Sequence, residues 1–382
     1  MAVKLICFLS SMHPPYDKRV FDKEAVYLSD TGFTVSHICP GKSQVAKVVK
    51  GVRIQTYTPP SGILGRLKQL TNLYRIAKAE NADVYHCNEV DSWFIGVLLK
   101  IFHGKQCVFD VHEHYPSTFA QSRFPIWLQP LVSSAVKLVF RCLTPFTDRI
   151  VLAKRSVSDD FHLAADKKVL VQNFTPLSGL NFSTDEVHFE EKAIYTMVHL
   201  GLLNKNRGWP QIIDAMATMK HHNLHLLVIG EINDGSRSEF EQRVIELGLS
   251  NRVRIMDWMP FERAFSYLLK ADIGIIGFQP GILNHVYAMP HKMFDYMAAG
   301  LAVLLPDFAV EVAPIVAETG CGLLIDSADH NDIAAKLDTM LDNPESIRLM
   351  GIKGKEAVKS RYNWELEVAK LIEMYKGLEQ SR

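Results

Sequence analysis

Short apolar runs alternate with longer stretches of helical period along the whole chain. That alternation predicts parallel strands buried on both faces and covered by helices, an α/β architecture. In the first half the runs that read as strands are 3–9, 34–38, 53–57, 83–86, 106–111, 149–152 and 169–171, with amphipathic segments such as 17–29 and 92–102 between them. After Asn173 the pattern gives way to Phe-Thr-Pro-Leu-Ser-Gly-Leu-Asn-Phe-Ser-Thr-Asp-Glu, a polar stretch punctuated by Pro and Gly that marks a domain boundary. A second series follows at 194–200, 224–229, 252–256, 273–276, 302–305 and 322–325.

The predicted fold is therefore two Rossmann-like, doubly wound domains facing across a cleft, 1–175 and 190–360, and 382 residues suffice for two cores of that size. Such sheets bind ligands beyond the carboxyl ends of their strands, which predicts an interdomain site. The architecture does not select a chemistry: bilobal binding proteins, epimerases, phosphorylases and glycosyltransferases share it.

Charge sharpens the division. Lys+Arg and Asp+Glu each total 42, but residues 1–175 hold 22 of the former and 14 of the latter, a net +8, leaving −8 for the remainder. A basic half suits an anionic membrane surface, whereas nucleic acid calls for a stronger overall excess. The basic positions Arg66, Lys68, Arg75 and Lys78, and a second group of Arg123, Lys137, Arg141, Arg149, Lys154 and Arg155, are interleaved with apolar residues such as Phe124, Trp127 and Leu128. They fit a membrane interface, and equally fit amphipathic helices packed on the sheet. The six cysteines lack CxxC spacing and read as reduced core residues, and no apolar run is long enough to span a bilayer. The expectation is a cytoplasmic protein, peripheral at the inner face of the membrane.

Three segments carry candidate chemistry. In Tyr287-Ala-Met-Pro-His-Lys-Met-Phe-Asp-Tyr-Met-Ala-Ala-Gly, Pro290 suits a first helical turn and Gly300 a C-cap, so the backbone N–H groups near Met289, His291 and Lys292 face outward where phosphate binds. Lys292 adds charge, and Asp295 is placed to accept ribose hydroxyls; the bland alternative is a capped helix with a polar face. In Leu200-Gly-Leu-Leu-Asn-Lys-Asn-Arg-Gly-Trp, Gly201 ends a strand and Lys205 and Arg207 precede a helix, the layout of a pyrophosphate clamp or of two solvated cations. In Val108-Phe-Asp-Val-His-Glu-His-Tyr-Pro, His112 stands just beyond a buried strand. The His-Glu-His string does not make a zinc site, because adjacent residues rarely converge on one ion and no further ligand cluster accompanies it. More weakly, Ser11-Met-His-Pro-Pro-Tyr-Asp-Lys-Arg could shape an acceptor side through Tyr16 and Arg19, or form a rigid turn.

The 287–300 segment resembles the donor-binding motif of family-4 glycosyltransferases, commonly two Glu separated by seven residues and then Tyr-Met-Ala-x-Gly-x-Pro-Val. Tyr16-Asp-Lys-Arg-Val-Phe, Asp110-Val-His-Glu, the Gly201 to Arg207 loop and Tyr362-Asn-Trp-Glu resemble the same family in the same order, over essentially the whole chain. Asp295 stands at the second Glu, Tyr287 at the first, Leu202 where an Arg is usual and Ala302 where Pro often follows the glycine. The resemblance implies a GT-B fold whose C-terminal helix, 361–382, packs on the first domain. It implies a retaining transfer of a hexose or N-acetylhexosamine from a UDP- or GDP-sugar to a glycan or lipid-linked acceptor, with no metal or other cofactor. The implied catalytic residues are His112, Arg207 and Lys292. The implied donor contacts are Gly201, Lys205, Arg207, Met259, Tyr287, Ala288, Met289, His291, Lys292 and Asp295, with Tyr16, Arg19 and Glu113 on the acceptor side. Surface polysaccharide assembly is the expected setting; a nucleotide-sugar epimerase or phosphorylase, or a non-catalytic nucleotide-sugar-binding partner, are the rival readings.

Overall fold

In a computed structural model the chain is described over residues 5–59, 62–112, 114–115, 119–120, 124–161, 163, 165–180, 184 and 195–380. It divides into two compact units, Met1–Asn173 with Trp364–Arg382, and Phe174–Asn363.

The first unit is built on β1 (Leu5–Leu9), β2 (Thr34–Pro40), β3 (Ala46–Val49), β4 (Val52–Tyr57), β5 (Val84–Cys87), β6 (Gln106–Val111), β7 (Arg149–Leu152) and β8 (Lys168–Leu170). Their order across the sheet is β3-β4-β2-β1-β5-β6-β7-β8. Every side chain of β5 and β6 is buried, the mark of a sheet covered on both faces. On one face Trp93 stacks on Phe109 with ring centroids 4.1 Å apart. On the other, Ile6 and Phe8 share a core with Trp364, Leu371 and Tyr375 of the helix Trp364–Gln380. The Glu367 carboxylate fixes that helix further by accepting from the Gln172 N–H at 2.8 Å.

Two features escaped the hydrophobic pattern. β3 pairs antiparallel to β4 through a two-residue turn in which Lys50 and Gly51 both have positive φ, the geometry that matches hairpin twist. Its side chains are mostly exposed, so it shows no apolar run. The segment expected to be one helix over 17–29 instead opens with a widened π turn, Lys18–Ala25, before the α-helical Val26–Asp30. Asp17 caps it, its side chain accepting from the N–H groups of Arg19 and Val20 at 2.9 Å.

The second unit is an all-parallel sheet of β9 (Tyr195–Leu200), β10 (Leu224–Ile229), β11 (Val253–Met256), β12 (Ile273–Ile275), β13 (Ala302–Pro306) and β14 (Gly322–Ile325), ordered β11-β10-β9-β12-β13-β14. Gly274 on β12 leaves room for the Tyr296 ring, which a Cβ there would strike. The Tyr296 hydroxyl accepts from the Leu200 N–H at 2.8 Å, so the helix His291–Ala299 is locked to the end of β9. Each sheet reverses its winding direction once, at β1/β5 and at β9/β12, and such switch points are where doubly wound sheets bind ligands.

Candidate active site

At the β9/β12 switch point three basic side chains converge. β9 delivers His199, and Gly201 follows with φ +88. The loop then folds back, capped by Asn204, whose side chain accepts from the Arg207 N–H at 2.9 Å. Gly208, with φ +79, lies so close to the Gly277 carbonyl that any Cβ would collide with it, and this seats Arg207 over the end of β12. The Arg207 guanidinium donates to the Leu202 carbonyl at 2.8 Å and lies 5.8 Å from the centroid of the Phe278 ring. From the other side, Lys292 Nζ reaches to 3.2 Å from His199 Nε2, which is itself 3.1 Å from the Leu202 carbonyl.

No carboxylate lies within ion-pair distance of Arg207, Lys292 or His199 among the described residues. Burial, and then the Arg207 charge, pushes the Lys292 ammonium down to about 7. Burial and Lys292 together hold His199 well below the ordinary imidazole range. The helix His291–Ala299 begins at Pro290 with no side chain capping its first turn, adding partial positive charge. Such a site can take an anion carrying several oxygens.

Other expected donor contacts are placed differently. Asp295 is buried and its Oδ1 accepts from the Thr175 hydroxyl at 2.6 Å, so its carboxylate ties the helix to the segment that opens the unit. Lys205 is exposed and pairs with Glu239, which spends its charge away from Arg207. The Met289 side chain belongs to the core, leaving only its backbone for a ligand, and Met259 packs half-buried against the same core. Tyr287 and Ala288 close the short helix Leu283–Val286, their N–H groups donating to Leu283 and His285. His291 forms the first residue of the following helix.

In the first unit, His112 follows β6 with Nε2 buried, without a hydrogen bond and 3.6 Å from Asp110 Oδ2; burial drives its pKa down to about 3. Arg19 is turned into the interior of the first unit. It is buried, with Nη2 donating to Asp110 at 3.1 Å, Nη1 to the Val171 carbonyl at 3.0 Å, and Nε 3.0 Å from Glu24. Burial and the neighbouring Asp110 raise Glu24 well above the carboxylate range, while Arg19 overrides burial to hold Asp110 well below it. Glu24, Asp110 and His86 bring ligand-type atoms within 4.8 Å of one another, a grouping the sequence did not suggest, and Arg19 supplies the positive charge there. Tyr16 is exposed, with the Lys47 ammonium 5.3 Å from its ring centroid, and Glu113 lies outside the described residues. Among the basic surface positions, Lys154 is buried, while of the cysteines Cys142 is exposed. The side chains of Arg66 and Arg123 lie outside the described residues.

His199 is the main residue that sequence reasoning missed. Its signal is an imidazole near the carboxyl end of Tyr-Thr-Met-Val-His-Leu, a largely buried strand.

Comparison with known proteins bears directly on this arrangement. Residues 183–357 match the family profile described as "Glycosyl transferases group 1", and residues 19–174 match "Glycosyltransferase Family 4". A lipopolysaccharide core biosynthesis glycosyltransferase, LpsD of Rhizobium meliloti, is 25% identical over 170 residues, 44% of this chain and 46% of that protein, so the match spans about half of each. Among solved structures, a sucrose-phosphate synthase from Thermosynechococcus elongatus aligns with TM-score 0.74 at 17% identity, covering 99% of this chain and all (100%) of that one. Anabaena HepE in complex with UDP and glucose aligns with TM-score 0.72 at 13% identity, over 98% and 100% of the two chains. Both units thus carry the family's signature in the family's order, and the chain belongs to the group 1, family-4 type of glycosyltransferases with the GT-B fold.

Proposed function

We propose that the chain catalyses retaining transfer of a hexose or N-acetylhexosamine from a UDP- or GDP-sugar to a glycan or lipid-linked acceptor in cell-surface polysaccharide assembly. The observation that carries this reading is the Arg207, Lys292 and His199 cluster, positive, half-buried and without a carboxylate partner among the described residues. A diphosphate supplies the missing negative charge. As the bond from the sugar's anomeric carbon to phosphate oxygen breaks, charge grows on the departing diphosphate. A guanidinium and an ammonium already held in a low-dielectric pocket stabilise it, a term worth roughly 3–4 kcal/mol per donor. These two cations supply positive charge where a divalent ion would otherwise be needed. The names of the relatives, a lipopolysaccharide core enzyme and a protein crystallised with UDP and glucose, support the substrate class.

Exposed apolar side chains beside basic ones in the first unit fit a lipid-linked acceptor. Ile126 and Trp127 are 82% and 76% exposed, and the helix Gln129–Leu143 that follows also leaves Leu131 and Leu138 in solvent beside Lys137 and Arg141. No helix among the described residues is long and apolar enough to cross a membrane, so docking on the surface is the mode this reading requires.

Thermal shift against UDP, GDP, ADP and dTDP and their sugar conjugates tests the donor site, because a ligand that binds only the folded state raises its melting temperature. Stabilisation by one nucleotide names the base. No shift with any of them would leave the non-catalytic reading in place.

A further inference from the structure

In the second unit, the two contacts of His199 make opposite demands on one nitrogen. Nε2 lies 3.1 Å from the Leu202 carbonyl, which can only accept, and 3.2 Å from Lys292 Nζ, which as an ammonium can only donate. With a proton on Nε2 the ring serves the carbonyl and cannot face an ammonium. With a lone pair on Nε2 it serves the ammonium and gives the carbonyl nothing. Burial and the nearby cation hold the ring neutral, so it carries a proton on one nitrogen and not on both.

The surroundings permit either arrangement. The Leu202 carbonyl does not depend on the ring, because the Arg207 guanidinium donates to it at 2.8 Å. Nδ1 is buried and makes no hydrogen bond among the described residues, and the Ile275 carbonyl is the other backbone acceptor that acts on the ring. A neutral Lys292 amine can accept from an Nε2–H, so the site without ligand favours that tautomer once the amine has lost its proton. His13 in the first unit shows the contrast. There the buried, ionised Glu89 carboxylate accepts from Nδ1 at 2.6 Å and leaves the ring one tautomer. No carboxylate makes an ion-pair contact with His199 among the described residues, and the group that sets its tautomer is an amine able to change charge.

We propose that His199 is a positioning residue for Lys292, its tautomer following the charge of the amine. Beside the neutral amine, Nε2 carries the proton. When a diphosphate binds, Lys292 takes a proton from water and becomes an ammonium. The Nε2 proton passes to solvent and another is taken up at Nδ1, so the ring stays neutral and Nε2 offers its lone pair. That lone pair holds the ammonium at the start of the helix His291–Ala299 and leaves its other N–H groups for phosphate oxygens. An imidazole able to donate or accept lets Lys292 stay neutral beside Arg207 until the ligand arrives. The ligand in this scheme rests on the donor-site reading above; the coupling between the two side chains does not. The charged and titratable groups that face the pair are Arg207 from the loop after β9, Asp295 and Tyr296 from the helix that carries Lys292, and His285, on which Arg207 also acts, from the short helix before it.

Histidine-labelled NMR on the full chain, with His199→Gln to assign the ring, reads the tautomer directly. Without ligand the ring should pass from Nε2–H to Nδ1–H as pH falls from about 8.5 to about 5.5, through the Lys292 titration. At about pH 8, UDP-glucose or GDP-mannose should produce the same change. Lys292→Met should hold the ring as Nε2–H at every pH and with either nucleotide-sugar. His199→Leu should weaken nucleotide-sugar binding roughly tenfold or more, the worth of a hydrogen bond to a charged group. His199→Gln should recover most of that loss, because its amide can turn either a donor or an acceptor toward Lys292. A wild-type ring that keeps one tautomer across pH and with nucleotide-sugar, or a folded His199→Leu variant that binds as tightly as the wild type, would overturn the assignment. A ring that follows pH while neither nucleotide-sugar binds would leave the coupling in place and overturn the donor-site reading beneath it.

Discussion

Both units gather charge at the carboxyl ends of their central strands, and they do opposite things with it. In the first, Arg19 sits between Asp110 and Glu24, and five donors surround the Glu89 carboxylate. In the second, Arg207, Lys292 and His199 face one another with no carboxylate in ion-pair contact among the described residues, Asp295 acting on Lys292 only at longer range. The first arrangement closes on itself and fixes a shape. The second is incomplete, and the shortfall is the part of the molecule that a ligand must supply.

The strongest way to break this contrast is to open the closed network. Arg19→Met leaves Asp110 buried without its guanidinium and should cost about 3–5 kcal/mol. Hydrogen exchange should rise throughout β1, β5 and β6 while β9 and β10 keep their protection. If the first unit keeps its full protection, the network is not what holds it.

The opposite experiment removes a charge that folding does not need. Arg207→Ala should leave melting in the absence of ligand within about 0.5 kcal/mol of wild type, the range of ordinary surface changes. Nucleotide stabilisation should disappear and transfer should fall on the order of 10²–10³-fold. Unchanged turnover would remove Arg207 from the diphosphate.

Lys292 makes the contrast measurable by pH. Its folded pKa is depressed to about 7, so the free protein holds a neutral amine above that pH, while a bound diphosphate raises the pKa again. Binding therefore takes up a proton when the pH lies above 7, and affinity for a nucleotide-sugar should fall by up to tenfold per pH unit as pH rises through that value. The sugar conjugate is the right probe because its diphosphate does not titrate in this range. Calorimetry in buffers of different ionisation enthalpy should report the uptake, and Lys292→Met should abolish it. A flat profile in the wild-type protein would place the anion elsewhere.

The contrast also explains what could be read from sequence. Buried parallel strands announce themselves as apolar runs, so β5, β6 and β9 were legible, as was the boundary after Asn173. The exposed hairpin strand β3 was not, because nothing apolar marks it. Lys292 and Arg207 were legible because glycines and a proline fix the backbone around them. The burial of Asp295 was not legible, because a carboxylate in the second turn of a helix reads the same in sequence whether it is exposed or, as here, accepts from the Thr175 hydroxyl. The pairing of Arg19 was not legible because its partner Asp110 is 91 residues away. The Glu89 and His13 pair is separated by a comparable span and depends on β1 and β5 being neighbours, which topology decides and local pattern does not.

The smallest expected effect concerns the outer surfaces, where the contrast takes the form of opposite net charge, +8 for residues 1–175 and −8 for the remainder. If the first unit docks on an anionic bilayer, Trp127 is the side chain with most to bury, being large and 76% exposed. Trp127→Ser should weaken partition onto phosphatidylglycerol vesicles by about 1.5–3 kcal/mol, the worth of burying one large apolar side chain. The wild-type protein should leave those vesicles as salt rises and ignore phosphatidylcholine, because Lys137 and Arg141 act over only about a Debye length of ~10 Å at 0.1 M salt. Substituting Trp258, which is also exposed but lies in the acidic second unit, should change nothing. Equal losses from both tryptophans would mean that apolar exposure alone, and not the pairing of apolar with basic residues in the first unit, governs the attachment.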